Sequence, residues 1–261
     1  MNALLSKSAL WLHKQHSKAY SYYKIRKSNI STKTPLTWQE RNFYLKLQPG
    51  LQEQNLVIYD IGAAKGVVSC LLAKLSNVAS VQAFEPIPDV YKELRHNTRS
   101  SRKVNCHNVA LGDTPGLVTM QVNKRTDTSS LLPIRQLHQA ENPGREVHKE
   151  IQVTVVPLDE YVKQNNLPVP SLIKIDVQGF EKNVILGGVN TICQAKYCVL
   201  EMSLHPVHVG SPLFDDIYRL MCDLGFQLTG LSSPLTDKSG IQLQVDGFFE
   251  NQKYLSTTFK D

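Results

Sequence analysis

Short apolar runs alternate with segments whose apolar residues recur at helical spacing along most of the chain. A short continuous apolar run is typical of a strand buried on both faces, whereas apolar residues three or four positions apart are typical of a helix. This pattern predicts strands at 56–59, 78–84, 104–111, 116–122, 150–156, 172–175, 197–202, 226–229 and 241–249. It predicts helices at 37–47, 66–75, 88–99, 180–186 and 213–224.

The alternation of strands and helices predicts an α/β domain, with a mostly parallel sheet covered by helices on both faces. The last two strands follow each other without a helix, which predicts at least one antiparallel edge. The polar stretch 123–149 is long for a connection inside a compact domain, and we expect a functional loop or lid there. The simplest division is a domain at 51–261 preceded by a basic helical arm at 1–50.

The positive charge of the chain is concentrated in that arm. Lys and Arg number 29 and Asp and Glu number 23, giving a net charge of +6. Residues 1–39 contain seven basic side chains and no acidic one, so the remainder is nearly neutral. A neutral body argues against a nucleic-acid-binding surface, which needs clustered Lys and Arg. Leu5, Ala9 and Leu12 are at helical spacing, which favours a helix that packs on the body of the protein. The alternatives are that the arm contacts an anionic membrane weakly or that it is a transit peptide.

The composition and the cysteine spacing indicate the cellular compartment. No apolar window approaches the roughly 20 residues of a membrane span, and we expect no signal peptide. The five cysteines are scattered and form no Cys-x-x-Cys pair. This pattern favours reduced thiols in the cytoplasm over a disulfide framework or a zinc site.

The candidate cofactor site begins at the turn after the first predicted strand. Asp60, Gly62 and Gly66 lie between that strand and a helix, where doubly wound folds bind nucleotides. Glu85 ends the next strand, 19 residues after Gly66, a position suited to both hydroxyls of a ribose. Three residues separate Gly62 from Gly66, unlike the G-x-G-x-x-G of nicotinamide enzymes. This spacing favours S-adenosylmethionine, with an NAD(P)-dependent oxidoreductase as the alternative.

Further acids follow later strands. Asp176 and Glu201 each end an apolar run, and His205 follows closely. Burying an unpaired carboxylate costs several kcal/mol, so repeated acids at strand ends indicate function. Asp176, Glu201 and His205 are therefore candidate bases for removing a proton from a hydroxyl group. The same three side chains are chemically able to bind a divalent metal, but we favour a site without metal because their spacing is not a known ligand signature.

The chain resembles the FkbM-type methyltransferase family over roughly residues 55–230. The segments that carry the resemblance are VIYDIGAAKG, VQAFEPIPDVYKELRHN, VNCHNVALGD, TDTSSLLP, TVVPLDEYV and LIKIDVQGFEKNVILGG. The resemblance implies a Rossmann-like class I fold with a seven-stranded sheet whose last strand is antiparallel. It also implies transfer of a methyl group from S-adenosylmethionine to a hydroxyl of a small molecule or glycan, such as a sugar or polyketide. Ala64 and Lys65 depart from the family, which commonly has Asn and an apolar residue there.

The resemblance also implies roles for individual residues. Cofactor contacts are expected from Asp60, Gly62, Ala63, Gly66, Glu85, Pro86, Ala110 and Asp176. Ala110 would border the adenine, and Asp176 would stand near the methyl group and the attacking oxygen. Ser129 and Ser130 would line the acceptor pocket. A nucleotide-binding protein of the same fold without catalytic activity is the remaining alternative.

Overall fold

A computed structural model describes residues 53–123, 129–132, 147–206, 208–237 and 240–254. The arm at 1–50, the helix predicted at 37–47 and most of the stretch 123–149 lie outside these residues. Predictions about the arm, including membrane contact, therefore stay predictions. Within the described ranges no helix is long and apolar enough to cross a membrane.

The described residues form strands and helices in alternation. The strands are β1 (Leu56–Ile61), β2 (Val78–Phe84), β3 (Val104–His107), β4 (Ala110–Gly112), β5 (Gly116–Asn123), β6 (Val147–Pro157), β7 (Leu172–Ile175), β8 (Tyr197–Ser203), β9 (Phe226–Leu231), β10 (Leu235–Thr236) and β11 (Gln242–Asn251). The helices are α1 (Val67–Ala73), α2 (Pro88–Thr98), α3 (Leu158–Gln164), α4 (Glu181–Leu186), α5 (Val189–Ile192) and α6 (Phe214–Asp223). The sequence pattern missed α3, α5 and β10. The four residues of α5 and the two of β10 are too few to show a period.

The main sheet has the Rossmann-like class I methyltransferase order. Its strands run β10–β11–β8–β7–β1–β2–β3, and β9 also pairs with β11. Strands β3, β2, β1, β7 and β8 are parallel, whereas β11 is antiparallel to both β8 and β9. The antiparallel pairing at this edge was predicted, but the reversed strand β11 lies inside the sheet and not at its edge. The sheet has eight strands, one more than predicted, because the short β10 also pairs with β11.

A second sheet of three strands, in the order β4–β6–β5, was not predicted as a separate unit. The predicted strand 104–111 is wrong as a single element, since β3 joins the main sheet and β4 joins the second one. The break falls at Asn108, whose side-chain amide donates to the carbonyl oxygens of Glu85 at 2.8 Å and Pro86 at 3.0 Å. These bonds turn the chain away from the edge of β2. The second sheet packs its buried Met120 and Val153 against Ile87 before α2.

Helix α4 ends against the second sheet with almost no space between the two backbones. A Cβ atom added to Gly187 would lie 1.8 Å from the carbonyl oxygen of Gly112 in β4. The contact is reinforced by Asn183, whose amide donates to Asp113 Oδ1 at 3.0 Å. Gly187 has an ordinary helical φ of −77°, so space and not backbone conformation requires a glycine here. This contact fixes the position of the turn before α4.

Gly187→Ala is expected to lower the thermal unfolding midpoint by roughly 3–10 °C. Overpacking a protein interior costs about 1–3 kcal/mol or more. In a domain of this size each kcal/mol shifts the midpoint by about 2–4 °C. Gly116→Ala is the matched control, since a Cβ there meets nothing within 4 Å. Its midpoint should stay close to that of the wild type. Equal midpoints for the two variants, measured by circular dichroism, would contradict the close contact.

Candidate active site

The carboxyl ends of β1, β2, β7 and β8 meet at one rim of the main sheet, as expected for parallel neighbours. In the ladder Ile61 pairs with Phe84 on one side and with Ile175 on the other, so Asp60, Glu85 and Asp176 share this rim. Glu201 follows Leu200, which pairs with Ile175. The four acids of the sequence analysis therefore come together, as their positions at strand ends predicted.

A buried lysine links two of these acids. Lys174 lies in β7 and is 6% exposed, with its Nζ 3.4 Å from Asp60 Oδ1 and 3.2 Å from Asp176 Oδ2. The hydroxyl of Ser69 donates to Asp60 Oδ2 at 2.5 Å. Pairing of this kind offsets the cost of removing the charges from water. Sequence reasoning missed Lys174, although a single charged residue within an apolar strand was a usable signal.

Asp60 is fully buried and does not line the cleft. Its carboxylate anchors Lys174 and the start of α1 through Ser69, so its part in a cofactor site is indirect. Asp176 differs, because 35% of its side chain is exposed and it lines the cleft directly.

The two glycines of the first turn have different roles. Gly62 has a φ of +79°, and a Cβ on it would lie 1.9 Å from the carbonyl oxygen of Asp176. The missing side chain therefore lets the ends of β1 and β7 approach each other, and Gly62 lines the cleft. Gly66 has a φ of +80°, and a Cβ on it would lie 2.5 Å from Leu94 Cδ1 in α2. Helix packing explains Gly66, which does not line the cleft, and neither does Ala63.

Glu85 presents a buried carboxyl to the cleft. It is 5% exposed, and its Oε1 accepts the backbone N–H of Ile87 at 2.9 Å. Burial raises the pKa of Glu85 to about 7, while backbone N–H groups of Ile87 and Ala64 lower it and the charge of Asp60 raises it. The neighbouring Pro86 also lines the cleft.

The turn from β7 to α4 is held by side chains that sequence reasoning missed. Glu181 accepts the backbone N–H groups of Val177 at 3.0 Å and Gly179 at 3.1 Å. Burial raises the pKa of Glu181 to about 7, although these hydrogen bonds oppose the shift. The side-chain amide of Gln178 donates to Asp176 Oδ1 at 3.0 Å and to Glu201 Oε2 at 2.9 Å.

Glu201 and His205 differ in their relation to the cleft. Burial raises the pKa of Glu201 well above its ordinary value, and the negative charges of Asp176, Glu181 and Asp246 add to the effect. Glu201 reaches the cleft indirectly through Gln178. His205 is exposed and does not line the cleft, so the structure does not bring it to the other candidate bases. Among the described residues no three His, Cys, Asp or Glu side chains are grouped to hold a metal, so the alternative metal set is not assembled.

The second sheet covers the cleft from the other side. Ser129 lines it, while Ser130 donates its hydroxyl to the carbonyl oxygen of Gln178 at 2.7 Å. Ala110 also lines the wall. The open cleft has an empty volume of about 580 Å³, including solvent at its mouth. Its remaining lining is mostly apolar and comes from Ile61, Ala64, Phe84, Ile87, Leu111, Met120, Leu131, Val177, Gln178 and Phe180.

Comparison with known proteins identifies the family. A model described as the methyltransferase FkbM domain matches residues 60–228, which is more than half of the chain. The chain belongs to the FkbM methyltransferase family. The matched range includes Asp60, Glu85, Asp176 and Glu201, so the rim described above lies within the family domain.

Two curated relatives of this FkbM chain are methyltransferases. The hexuronic acid methyltransferase AglP of Haloferax volcanii is 26% identical over 152 residues, which are 58% of this chain and 57% of AglP. The 2-O-methyltransferase NoeI of Sinorhizobium fredii is 26% identical over 166 residues, which are 61% of this chain and 68% of NoeI. A crystal structure of an FkbM methyltransferase from Methylobacillus flagellatus superposes with a TM-score of 0.45 and 15% identity, covering 80% of this chain and 53% of the other.

The raised pKa of Glu85 makes stability depend on pH. The folded state keeps the proton up to about pH 7, whereas an ordinary glutamate loses it near pH 4.5, so the folded state binds more protons in this window. The contribution of Glu85 to stability therefore falls as pH rises from 4.5 to 7. Glu85→Gln removes this loss, and its free energy of unfolding relative to wild type should rise by about 1–3 kcal/mol between pH 5 and pH 8.

Urea unfolding at both pH values measures this difference. The control is Glu160→Gln, which removes an exposed carboxylate on α3. Its difference from the wild type should be the same at both pH values. A Glu85→Gln curve that runs parallel to the wild type would show that Glu85 does not carry the shifted pKa.

Proposed function

We propose that this FkbM chain transfers a methyl group from S-adenosylmethionine to a hydroxyl of a small molecule or glycan. The observation that carries the proposal is the pair of acids on one cleft, with Glu85 buried and Asp176 partly exposed. Membership of the methyltransferase FkbM family supports this reaction over the nicotinamide alternative. The retained acids argue against a binding protein without catalytic activity.

The residues of the cleft fit S-adenosylmethionine chemically. Glu85 would accept hydrogen bonds from the ribose hydroxyls, since its carboxyl faces the cleft from the end of β2. Apolar Ile87 and Ala110 would border the adenine, and the backbone at Gly62 would border the methionine end. When bound, this cofactor supplies an electrophilic methyl group on a positively charged sulfur.

In the proposed reaction Asp176 takes the proton of the acceptor hydroxyl. The ammonium of Lys174 holds Asp176 Oδ2 at 3.2 Å and stabilises its negative charge. Glu201 differs from Asp176, because burial and the neighbouring carboxylates raise the pKa of its carboxyl well above its ordinary value. A well-placed base typically contributes about 10²–10⁴-fold to the rate, and alignment of the reactants can contribute up to about 7–11 kcal/mol.

A sugar hydroxyl is the proposed acceptor class. The names of AglP and NoeI refer to a hexuronic acid and to 2-O-methylation, which supports a carbohydrate hydroxyl for this chain as well. The hydroxyl of Ser129 and the amide of Gln178 at the cleft suit a polyol. All five cysteines are free thiols, which supports the expected cytoplasmic location.

The cofactor can be identified by thermal shift. S-adenosylmethionine and its demethylated product should raise the unfolding midpoint in proportion to the logarithm of their concentration, since ligands that bind only the folded state stabilise it. NAD⁺ and NADP⁺ at the same concentrations should leave it unchanged. A shift with a nicotinamide cofactor alone would overturn the proposal.

Two isosteric variants should separate binding from chemistry. At pH 8, where Glu85 is mostly ionised, Glu85→Gln is expected to weaken S-adenosylmethionine binding by about 10- to 100-fold, because a hydrogen bond to a charged group contributes about 1.5–3 kcal/mol. Asp176→Asn should leave the affinity within about threefold but lower turnover by about 10²–10⁴-fold. Calorimetry measures the affinities, and release of the demethylated cofactor with a panel of hexuronic acids and neutral sugars measures turnover. Undiminished binding by Glu85→Gln would refute the ribose assignment.

A further inference from the structure

Gln178 has a backbone conformation that its residue type rarely adopts. Its φ is +56°, in the left-handed region that favours glycine. Such conformations persist where surrounding groups fix them, and they are concentrated at functional sites. The following residue, Gly179, also has a positive φ of +99°, so two successive residues of this turn are left-handed.

The turn itself does not need the Gln178 side chain. Glu181 already accepts the backbone N–H groups of Val177 and Gly179, and Ser130 donates to the Gln178 carbonyl oxygen at 2.7 Å. A glycine at position 178 would accept the same backbone conformation without strain. The presence of a long side chain at this position therefore indicates that its amide has a role in the site.

That amide bridges two acids from different strands. The Nε2 atom donates to Asp176 Oδ1 at 3.0 Å and to Glu201 Oε2 at 2.9 Å, and Gln178 also lines the cleft. Lys174 holds the other oxygen of Asp176 at 3.2 Å. Both oxygens of the Asp176 carboxylate thus have a fixed donor, which sets the orientation of the group.

We propose that Gln178 is a positioning residue, which holds the Asp176 carboxylate towards the cleft and separates it from Glu201 with a neutral hydrogen-bond donor. The proposal rests on the proposed function, in which Asp176 receives the acceptor proton. Ser130 ties this arrangement to the segment at 129–132, so the second sheet contributes to the position of the acid.

The hydrogen bond from the Gln178 amide to Glu201 can be detected through the ionisation of the Glu201 carboxyl, which also depends on the charges around it. The groups that act on its carboxyl are Lys174 in β7, Asp176 directly after β7, Glu181 in α4 and Asp246 in β11. The carboxylates among them oppose ionisation of Glu201, and Lys174 favours it. The Gln178 amide stabilises the ionised form by donating a hydrogen bond, so its removal makes the proton harder to lose.

The test is a pH titration of Glu201 by NMR of side-chain carboxyl carbons, with its resonance assigned as the one that Glu201→Gln removes. Gln178→Met keeps the length of the side chain but has no donor, and it should raise the titration midpoint by about one pH unit. Gln178→Gly should raise the midpoint by a similar amount. This second variant is expected to fold, because glycine adopts the positive φ at position 178 without strain. A midpoint unchanged in both variants would overturn the proposal.

Asn166→Gly is the matched control, since Asn166 also has a positive φ of +49° but lies in the exposed turn after α3. Asn166→Gly should leave the titration midpoint of Glu201 at the wild-type value. If it raised this midpoint as much as Gln178→Gly does, relief of backbone strain would explain the effect, and the proposal would be overturned. Calorimetry with S-adenosylmethionine on the wild type separates the two hypotheses. A wild type that fails to bind it refutes the proposed function, while the Glu201 titration still decides the role of Gln178.

Discussion

The arrangement of the rim depends on one buried cation. Strand β7 lies inside the main sheet between its parallel neighbours β1 and β8, and its Lys174 is almost completely buried. A lysine in this position destabilises the fold unless anions lie beside it. Asp60 and Asp176 supply them from adjacent strand ends, at 3.4 and 3.2 Å. The same pairing holds the ends of β1 and β7 together, and Gly62 makes that approach sterically possible.

Around this cation the acids of the rim have different environments. Asp60 and Asp176 contact Lys174 directly, whereas Glu85 and Glu181 are buried, accept backbone N–H groups and have raised pKa values. Glu201 accepts the amide of Gln178, and burial and the neighbouring carboxylates raise its pKa. Neighbouring acids whose environments separate their proton affinities are a common basis for acid–base chemistry at neutral pH. The rim therefore combines carboxylates that stabilise positive charge with carboxyls whose pKa values are raised.

The central strands and the acids at their ends were predictable because each strand is a continuous apolar run and the acid follows it directly. The break at Asn108 was not, since it depends on hydrogen bonds to the carbonyl oxygens of Glu85 and Pro86, which are distant in sequence. Lys174 is a single charged residue inside an apolar run, and its pairing with Asp60 and Asp176 explains why it is there. Gly66 was assigned to the cofactor, whereas Leu94 of α2 occupies the space its side chain would need. Spacing along the chain identifies a glycine turn but not the group that approaches it.

Two different sheets form the two sides of the cleft, here called its floor and its roof. This division bears on which acceptor the cleft binds. The floor comes from strand ends of the main sheet, where Gly62, Glu85 and Asp176 are fixed by the topology. The roof comes from the second sheet and the segment at 129–132, which contribute Met120, Ser129 and Leu131. Residues of the roof can change without altering the pairing of Lys174, because none of them contributes to it. In the proposed reaction Gly62 and Glu85 of the floor bind the cofactor, and Ser129 of the roof contacts the acceptor. The hydrogen bond from Ser130 to Gln178 joins the two, so a change in the roof that displaces Ser130 would also disturb Asp176.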